Sequence, residues 1–248
     1  MTIFDLTHWH LLLISITALG AQIVGGLAGY GTGLLMPIVL VPLIGAEALV
    51  PVISLSSILT NITRVAVFRE SLDLRKALTI SAFAVPSTLV GAYFYTWLSG
   101  RGASVVIGAV LILVVPLRRV LAHHRFQLGA GGSAAAGVVY GFLSGSSVGA
   151  GVILLSILMS MGLSGSQIIA TDALTSVILG VAKSGVFIWA GALPLKLWLV
   201  AFIIGAAATP GAMLAKWMSK RFSVKLQDTL IEAAIVLGGL MLLVRAWT

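Results

Sequence analysis

Ten apolar runs follow one another along the chain, separated only by short stretches of charge, glycine or proline. They lie near residues 8–28, 33–44, 48–68, 76–98, 102–120, 128–145, 149–162, 166–190, 194–217 and 225–246. A helix crossing the bilayer core takes about 20 apolar residues, so runs of this kind consume most of a 248-residue chain and leave little but loops. A soluble domain would instead need about a quarter of its residues charged. Here 9% are charged and 59% hydrophobic, which excludes a soluble enzyme and equally a soluble nucleic-acid binder with a basic face. The formal charge of +8 is then a matter of membrane topology. With no cysteine in the chain there is no disulfide framework, thiolate metal site or thiol nucleophile. Met1 to His10 holds Asp5 but neither Lys nor Arg, so the basic start of a secretory signal is missing and the first run is expected to persist as a helix.

The runs divide five and five. The second and seventh are short for spans, and each follows a glycine-rich break: Gly25, Gly26, Gly29, Gly31 and Gly33 in one case, Gly141, Gly145, Gly149 and Gly151 in the other. Short interrupted segments in matching positions point to an internal repeat. The expected fold class is an all-α polytopic membrane protein with two inverted five-segment repeats, residues 1–125 and 126–248, whose helices are short or broken at the glycine-rich regions. Sliding the chain on itself by 119 lays Leu55 to Phe68 over Leu174 to Phe187 and sets Arg64 on Lys183. Pro86 matches Pro210 at an offset of 124, and Gly25 and Gly29 match Gly141 and Gly145 at 116.

Cytoplasmic loops hold the excess of Lys and Arg. Arg69, Arg75 and Lys76 follow the third run, Arg118, Arg119 and Arg125 the fifth, and Lys216, Lys220, Arg221 and Lys225 the ninth. These are expected inside, whereas Arg101, Lys196 and Arg245 fall on alternate loops. The alternation needs an odd number of crossings per half, which inverts the halves and places both termini in the periplasm of a cell inner membrane.

Glycine clusters within a membrane segment free backbone groups that only protein or a watery cavity can satisfy. A half-helix beginning after each break would aim its positive end at an anion. Gly29, Tyr30, Gly31, Thr32 and Gly33 are the candidates at the first break, and Gly145, Ser146, Ser147 and Gly149 at the second. Close packing between helices is the alternative use of such glycines. Arg64 and Lys183 alone among the cations fall within spans and outside the loop-flanking groups; Arg64 is the nearer to a loop, where snorkelling to headgroups is the alternative, while a lysine as deep as Lys183 should face a cavity or partner. Asn61, Ser57, Ser176 and Thr175 are candidate hydrogen-bonding groups beside them. Asp172 stands eleven residues before Lys183, about 16 Å along a helix, too far for a direct pair within it. It is a candidate carrier of a coupling proton, or a charge favouring the start of its helix, and Glu47 reads the second way.

One enzyme signal fails on its own chemistry. Gly162-Leu163-Ser164-Gly165 has the pattern of an intramembrane serine protease, but its base should be a later histidine and the last one is His124. Adjacent His123 and His124 are poorly spaced for one metal. No phosphate loop or dinucleotide fingerprint occurs, so neither a cofactor nor enzymatic chemistry is expected.

Gly141-Phe142-Leu143-Ser144-Gly145 with its following glycines, the parallel Gly25 to Gly33 stretch, the Ser/Thr-rich third and eighth segments and the two-half plan resemble the sulfite exporter TauE/SafE family, also called the 4-toluenesulfonate uptake permease family. The resemblance covers nearly the whole chain. It implies movement of sulfite, sulfonates, sulfoacetate or related organosulfur anions across the bacterial inner membrane, inward or outward. The chain departs from the family's richer glycine run after Gly145, with Ser146-Ser147-Val148 in its place. The expectation is therefore a secondary carrier that binds a small anionic organosulfur substrate where the two breaks meet the third and eighth helices, with a proton or sodium as coupling ion. Partners are the substrate and the lipid bilayer, without nucleic acid; the alternatives are a channel or carrier for another small anion such as a carboxylate, and a membrane scaffold.

Overall fold

The computed structural model of the chain describes residues 6–28, 32–123 and 130–218. Among these residues there is no strand, and nine α-helices follow in order: α1 His8–Ala28, α2 Thr32–Ile44, α3 Ala46–Phe68, α4 Leu74–Thr96, α5 Gly100–His123, α6 Ala130–Ser146, α7 Gly151–Ser160, α8 Ser166–Trp189 and α9 Leu195–Met218. Their ends fall within three residues of the first nine apolar runs. The tenth run, 225–246, lies outside the described residues. Helices α1, α3, α4, α8 and α9 are each long and apolar enough to cross a bilayer, while α7 spans only 10 residues.

The helices end where their sequence makes them end. Gly45 separates α2 from α3 at φ 83, a left-handed conformation that a side chain resists. Asp73 caps α4, its carboxylate accepting from the backbone N–H of Lys76 at 3.0 Å. Polar residues inside the spans turn back on their own helix: Ser54 donates to the Val50 carbonyl, Thr63 to Leu59 and Thr209 to Gly205, which satisfies these hydroxyls without water. The outer surface is apolar, with Ile16, Val90, Leu113 and Leu199 all more than half exposed. At one end Tyr93 packs on Trp97 and Trp189, an aromatic group of the kind that sits at headgroup level.

Close approach of backbones joins the helices. A Cβ at Gly141 would lie 2.2 Å from the Ala84 carbonyl oxygen, and one at Gly91 2.3 Å from that of Phe142, so α4 and α6 touch along a seam only glycine allows. Thr88 closes the seam with a hydrogen bond to the Gly141 carbonyl at 2.9 Å. The most extensive pairings are α4 with α6, α1 with α9, α3 with α8, α3 with α9 and α4 with α8. Exchanging α1 with α6, α3 with α8 and α4 with α9 reproduces this set of pairings. At the centre α3 and α8 run antiparallel: Ser71 meets Ser166, Arg64 meets Asp172, and Gly180 approaches Ser57.

Candidate functional site

Where α3 and α8 cross the two helix breaks, the structure encloses a cavity of about 120 Å³. One water occupies about 10–15 Å³ on such a measure, so the space suits a small oxyanion or a cluster of waters. Helix α3 contributes Ile53, Ser56, Ser57, Thr60, Asn61 and Arg64, a stripe at the three-and-four spacing of one helix face. Helix α6 adds Tyr140 and Ser144, α8 adds Asp172, Ser176 and Lys183, and the breaks add Gly25, Gly33 and Ser147 through Gly151. The breaks touch each other: a Cβ on Gly33 would stand 3.3 Å from the Gly149 amide nitrogen. Gly149 itself turns at φ 86, which lets the chain reverse from α6 into α7. The first turn of α7 has no capping side chain, and its residues Ala150 and Gly151 form cavity wall.

Two buried cations act on this space, and their environments differ. Arg64 is 6% exposed; its Nη2 pairs with Asp172 Oδ2 at 3.1 Å and its Nη1 donates to Asn61 Oδ1 at 3.0 Å. Asn61 is fixed in turn, its Nδ2 donating to the Ser57 carbonyl at 2.8 Å. The guanidinium is therefore not drawn out to headgroups. Asp172 lies in the second turn of α8 and answers Arg64 across the helix pair, so its role as a charge at the helix start gives way to that of an ion-pair partner. Lys183 is 9% exposed, and its Nζ donates to the Ser144 carbonyl oxygen at 3.1 Å. Side chains tilt toward the start of their own helix. Because α3 and α8 are antiparallel, Arg64 and Lys183 thus reach toward each other from opposite ends of the cavity.

Of the residues expected from sequence, Ser57, Asn61, Arg64, Gly33, Ser147, Gly149, Asp172, Ser176 and Lys183 all line the cavity. Three others stand elsewhere. Gly145 packs on α4, where a Cβ would come 2.2 Å from the Thr88 carbonyl oxygen, so it serves the helix seam. Ser146 donates to the Phe142 carbonyl at 2.8 Å, and Thr175 to that of Thr171 at 2.9 Å; each is a residue away from a lining neighbour and so about 100° around its helix. Gly29, Tyr30 and Gly31 lie outside the described residues, as does the side chain of Thr32. Sequence reasoning missed Ser56, Thr60, Tyr140 and Ser144 as cavity residues. The repeat spacing of Ser56 with Thr60, and of Tyr140 with Ser144 and Ser147, was the signal that would have found them.

The chain matches the family model described as Sulfite exporter TauE/SafE over residues 14–242. No curated protein and no solved structure matches it.

Proposed function

The chain belongs to the sulfite exporter TauE/SafE family, a family of transporters, and from that premise we propose that it is a secondary carrier of small organosulfur oxyanions, without enzymatic activity. The observation that carries this reading is the cavity itself, which gathers Lys183, the uncapped start of α7 and the hydroxyls of Ser57, Ser147 and Ser176 around a space of about 120 Å³. A sulfonate or sulfite spreads its charge over three oxygens, which would take charge-assisted hydrogen bonds from such donors. The Ser57 and Ser147 hydroxyls would first turn away from the Ser54 and Val148 carbonyls that they meet at 2.7 and 3.3 Å. The helix terminus favours an anion further. The exchange symmetry of the helix pairings supports treating residues 1–125 and 126–248 as inverted repeats, which would rock about this site to expose it on alternate sides.

The placement of charge supports the orientation. Lys216 at the end of α9 donates to the Val67 carbonyl at the end of α3, so Arg69, Arg75, Lys76 and Lys216 share one side of the molecule. By the positive-inside rule that side is the cytoplasm of an inner membrane, and both termini are periplasmic. Cysteines introduced at Thr2 and Thr248 should react with an impermeant thiol reagent in intact spheroplasts, and labelling only after lysis would overturn the orientation. The function is tested by thermal shift with sulfite, thiosulfate, sulfoacetate, taurine, aromatic sulfonates, lactate and phosphate. A true substrate raises the melting temperature by mass action, and its flux into liposomes should saturate and exchange with unlabelled substrate. A response to lactate alone would move the substrate class to carboxylates.

A further inference from the structure

Among the described residues, three side chains in the cavity wall bear formal charge near neutral pH: Arg64, Asp172 and Lys183. Arg64 and Asp172 cancel at 3.1 Å. Lys183 meets a carbonyl oxygen, which has no formal charge, and among the described residues no carboxylate stands within ion-pair distance of it. The wall therefore carries one net positive charge. Asp172 is 2% exposed, and its second oxygen, Oδ1, accepts no hydrogen bond among the described residues. Asp172 is also one of the residues that line the space an anion would enter.

We propose that Asp172 determines the charge of the anion this site accepts: by neutralising Arg64 it limits the cavity to singly charged oxyanions and rejects doubly charged ones of the same shape. The inference rests on the anion-carrier reading above and narrows its substrate class to monoanions, such as sulfonates or hydrogen sulfite. A monoanion beside Lys183 brings the wall and its occupant to zero net charge. A dianion leaves one negative charge uncompensated in a membrane interior, the arrangement that low-dielectric surroundings penalise most. It would also lie in the field of the Asp172 carboxylate, which belongs to the same wall. Specificity of this kind comes from a built-in repulsion as much as from an attraction. Shape cannot supply it, because a sulfonate and a sulfate present nearly the same tetrahedral outline to Ser57, Ser147 and Ser176.

The test uses that likeness. Methanesulfonate and sulfate are close in size and differ by one charge, and both are fully ionised at pH 7. Titration calorimetry on the purified full-length protein should show methanesulfonate binding more tightly than sulfate by at least about tenfold, since like-charge contact is costly. Asp172→Asn raises the wall to two net positive charges and should move the ratio toward sulfate by at least about tenfold. The double variant Arg64→Met with Asp172→Asn returns the wall to one net charge, and the methanesulfonate preference should return with it. A merely structural ion pair predicts something else: both variants would weaken both anions in parallel, with the ratio unchanged. Should Asp172→Asn fail to fold, Ser176→Lys adds the same charge with Asp172 retained, and it must shift the ratio in the same direction. Binding of both anions by the wild type with an unmoved ratio in these variants overturns the inference and leaves the carrier reading intact. If the wild type binds neither probe and shows no shift with sulfite, the anion-carrier reading falls and this inference falls with it.

Discussion

An offset of 119 along the sequence lays Arg64 on Lys183, yet among the described residues the first of these cations is paired with a carboxylate and the second is not. The reason is visible in a third pair of positions. The offset of 119 that sets Arg64 on Lys183 sets Ile53 on Asp172, and Ile53 and Asp172 both line the cavity. Under the same offset, the place that the Asp172 carboxylate holds in the pair with Arg64 falls to the hydrocarbon side chain of Ile53. A frame whose helix pairings are symmetric holds a site whose charge is not. Ile53 against Asp172 is thus the sequence difference that accompanies a cation with a carboxylate partner in one case and, among the described residues, one without in the other.

The largest expected effect breaks the closed end, at the Arg64–Asp172 pair. Arg64→Met leaves the Asp172 carboxylate buried with no guanidinium opposite, and removing one member of a buried pair costs about 3 to 5 kcal/mol. Thermal unfolding in detergent should show a large fall in melting temperature. Adding Asp172→Asn to that variant should recover most of the loss, because the two residues act as one unit. A melting temperature unmoved by Arg64→Met would mean that the pair contributes nothing.

Next in size is the open end, at Lys183, where the expected effect falls on binding instead of folding. Lys183→Met removes the net charge and should weaken the best anion of the thermal-shift panel by about 2 to 5 kcal/mol, which is well over tenfold. Ile53→Asp tests the same point by addition. It would give Lys183 the carboxylate that Arg64 already has, making the two ends alike, and calorimetry should then find anion binding as weak as in Lys183→Met. Retained affinity in Ile53→Asp would show that the asymmetry between the two ends is not what admits the anion.

The sequence carried the helices well and the site unevenly, for reasons that differ. The bounds of α1 to α9 were legible because each apolar run is closed by charge, glycine or proline, and a bilayer leaves few other ways to satisfy a backbone. Lys183 was legible because a lone cation deep in a span has little else to do. The partner of Asp172 was not, since spacing along α8 only excludes Lys183, and the contact with Arg64 depends on how α3 lies against α8. Thr175 and Gly145 were assigned to the cavity from their neighbours, and each fails by the rotation of a single helical residue. Deciding which face of α6 takes the seam with α4 required knowing that Ala84 and Thr88 stand there.

A smaller effect is expected at the break, where the halves can again be compared. Gly149 turns at φ 86, so Gly149→Ala forces a side chain into a left-handed conformation at about 1 to 2 kcal/mol. Gly33 faces it from within the helical bounds of α2, and there alanine gains helix propensity of up to about 1 kcal/mol. Gly33→Ala should therefore melt no lower than wild type, although its new methyl presses on the Gly149 amide. Equal destabilisation by the two variants would show that the breaks are conformationally alike.

The smallest effect lies at the start of α4. Asp73 caps α4 through the Lys76 amide, and its own backbone N–H donates to Thr171 Oγ1 at 3.2 Å, beside Asp172. That cap holds the Asp73 carboxyl below the usual carboxylate range, the backbone hydrogen bond from Lys76 being the largest cause. A group whose folded value is lowered contributes stability above its unfolded value, near 3.9 for Asp, and loses that contribution as pH falls through the folded one. Asp73→Ala should lower stability at neutral pH by about 1 kcal/mol, the ordinary worth of a helix cap. The gap between variant and wild type should stay constant from pH 7 to about 5 and narrow below about pH 4. Because the tie to Thr171 runs through the backbone of residue 73, it survives the substitution, and anion affinity should change by less than about threefold, as for surface-type charges. A tenfold loss of affinity in Asp73→Ala would instead place the start of α4 within the electrostatics of the closed end, and the asymmetry would then extend beyond Ile53 and Asp172.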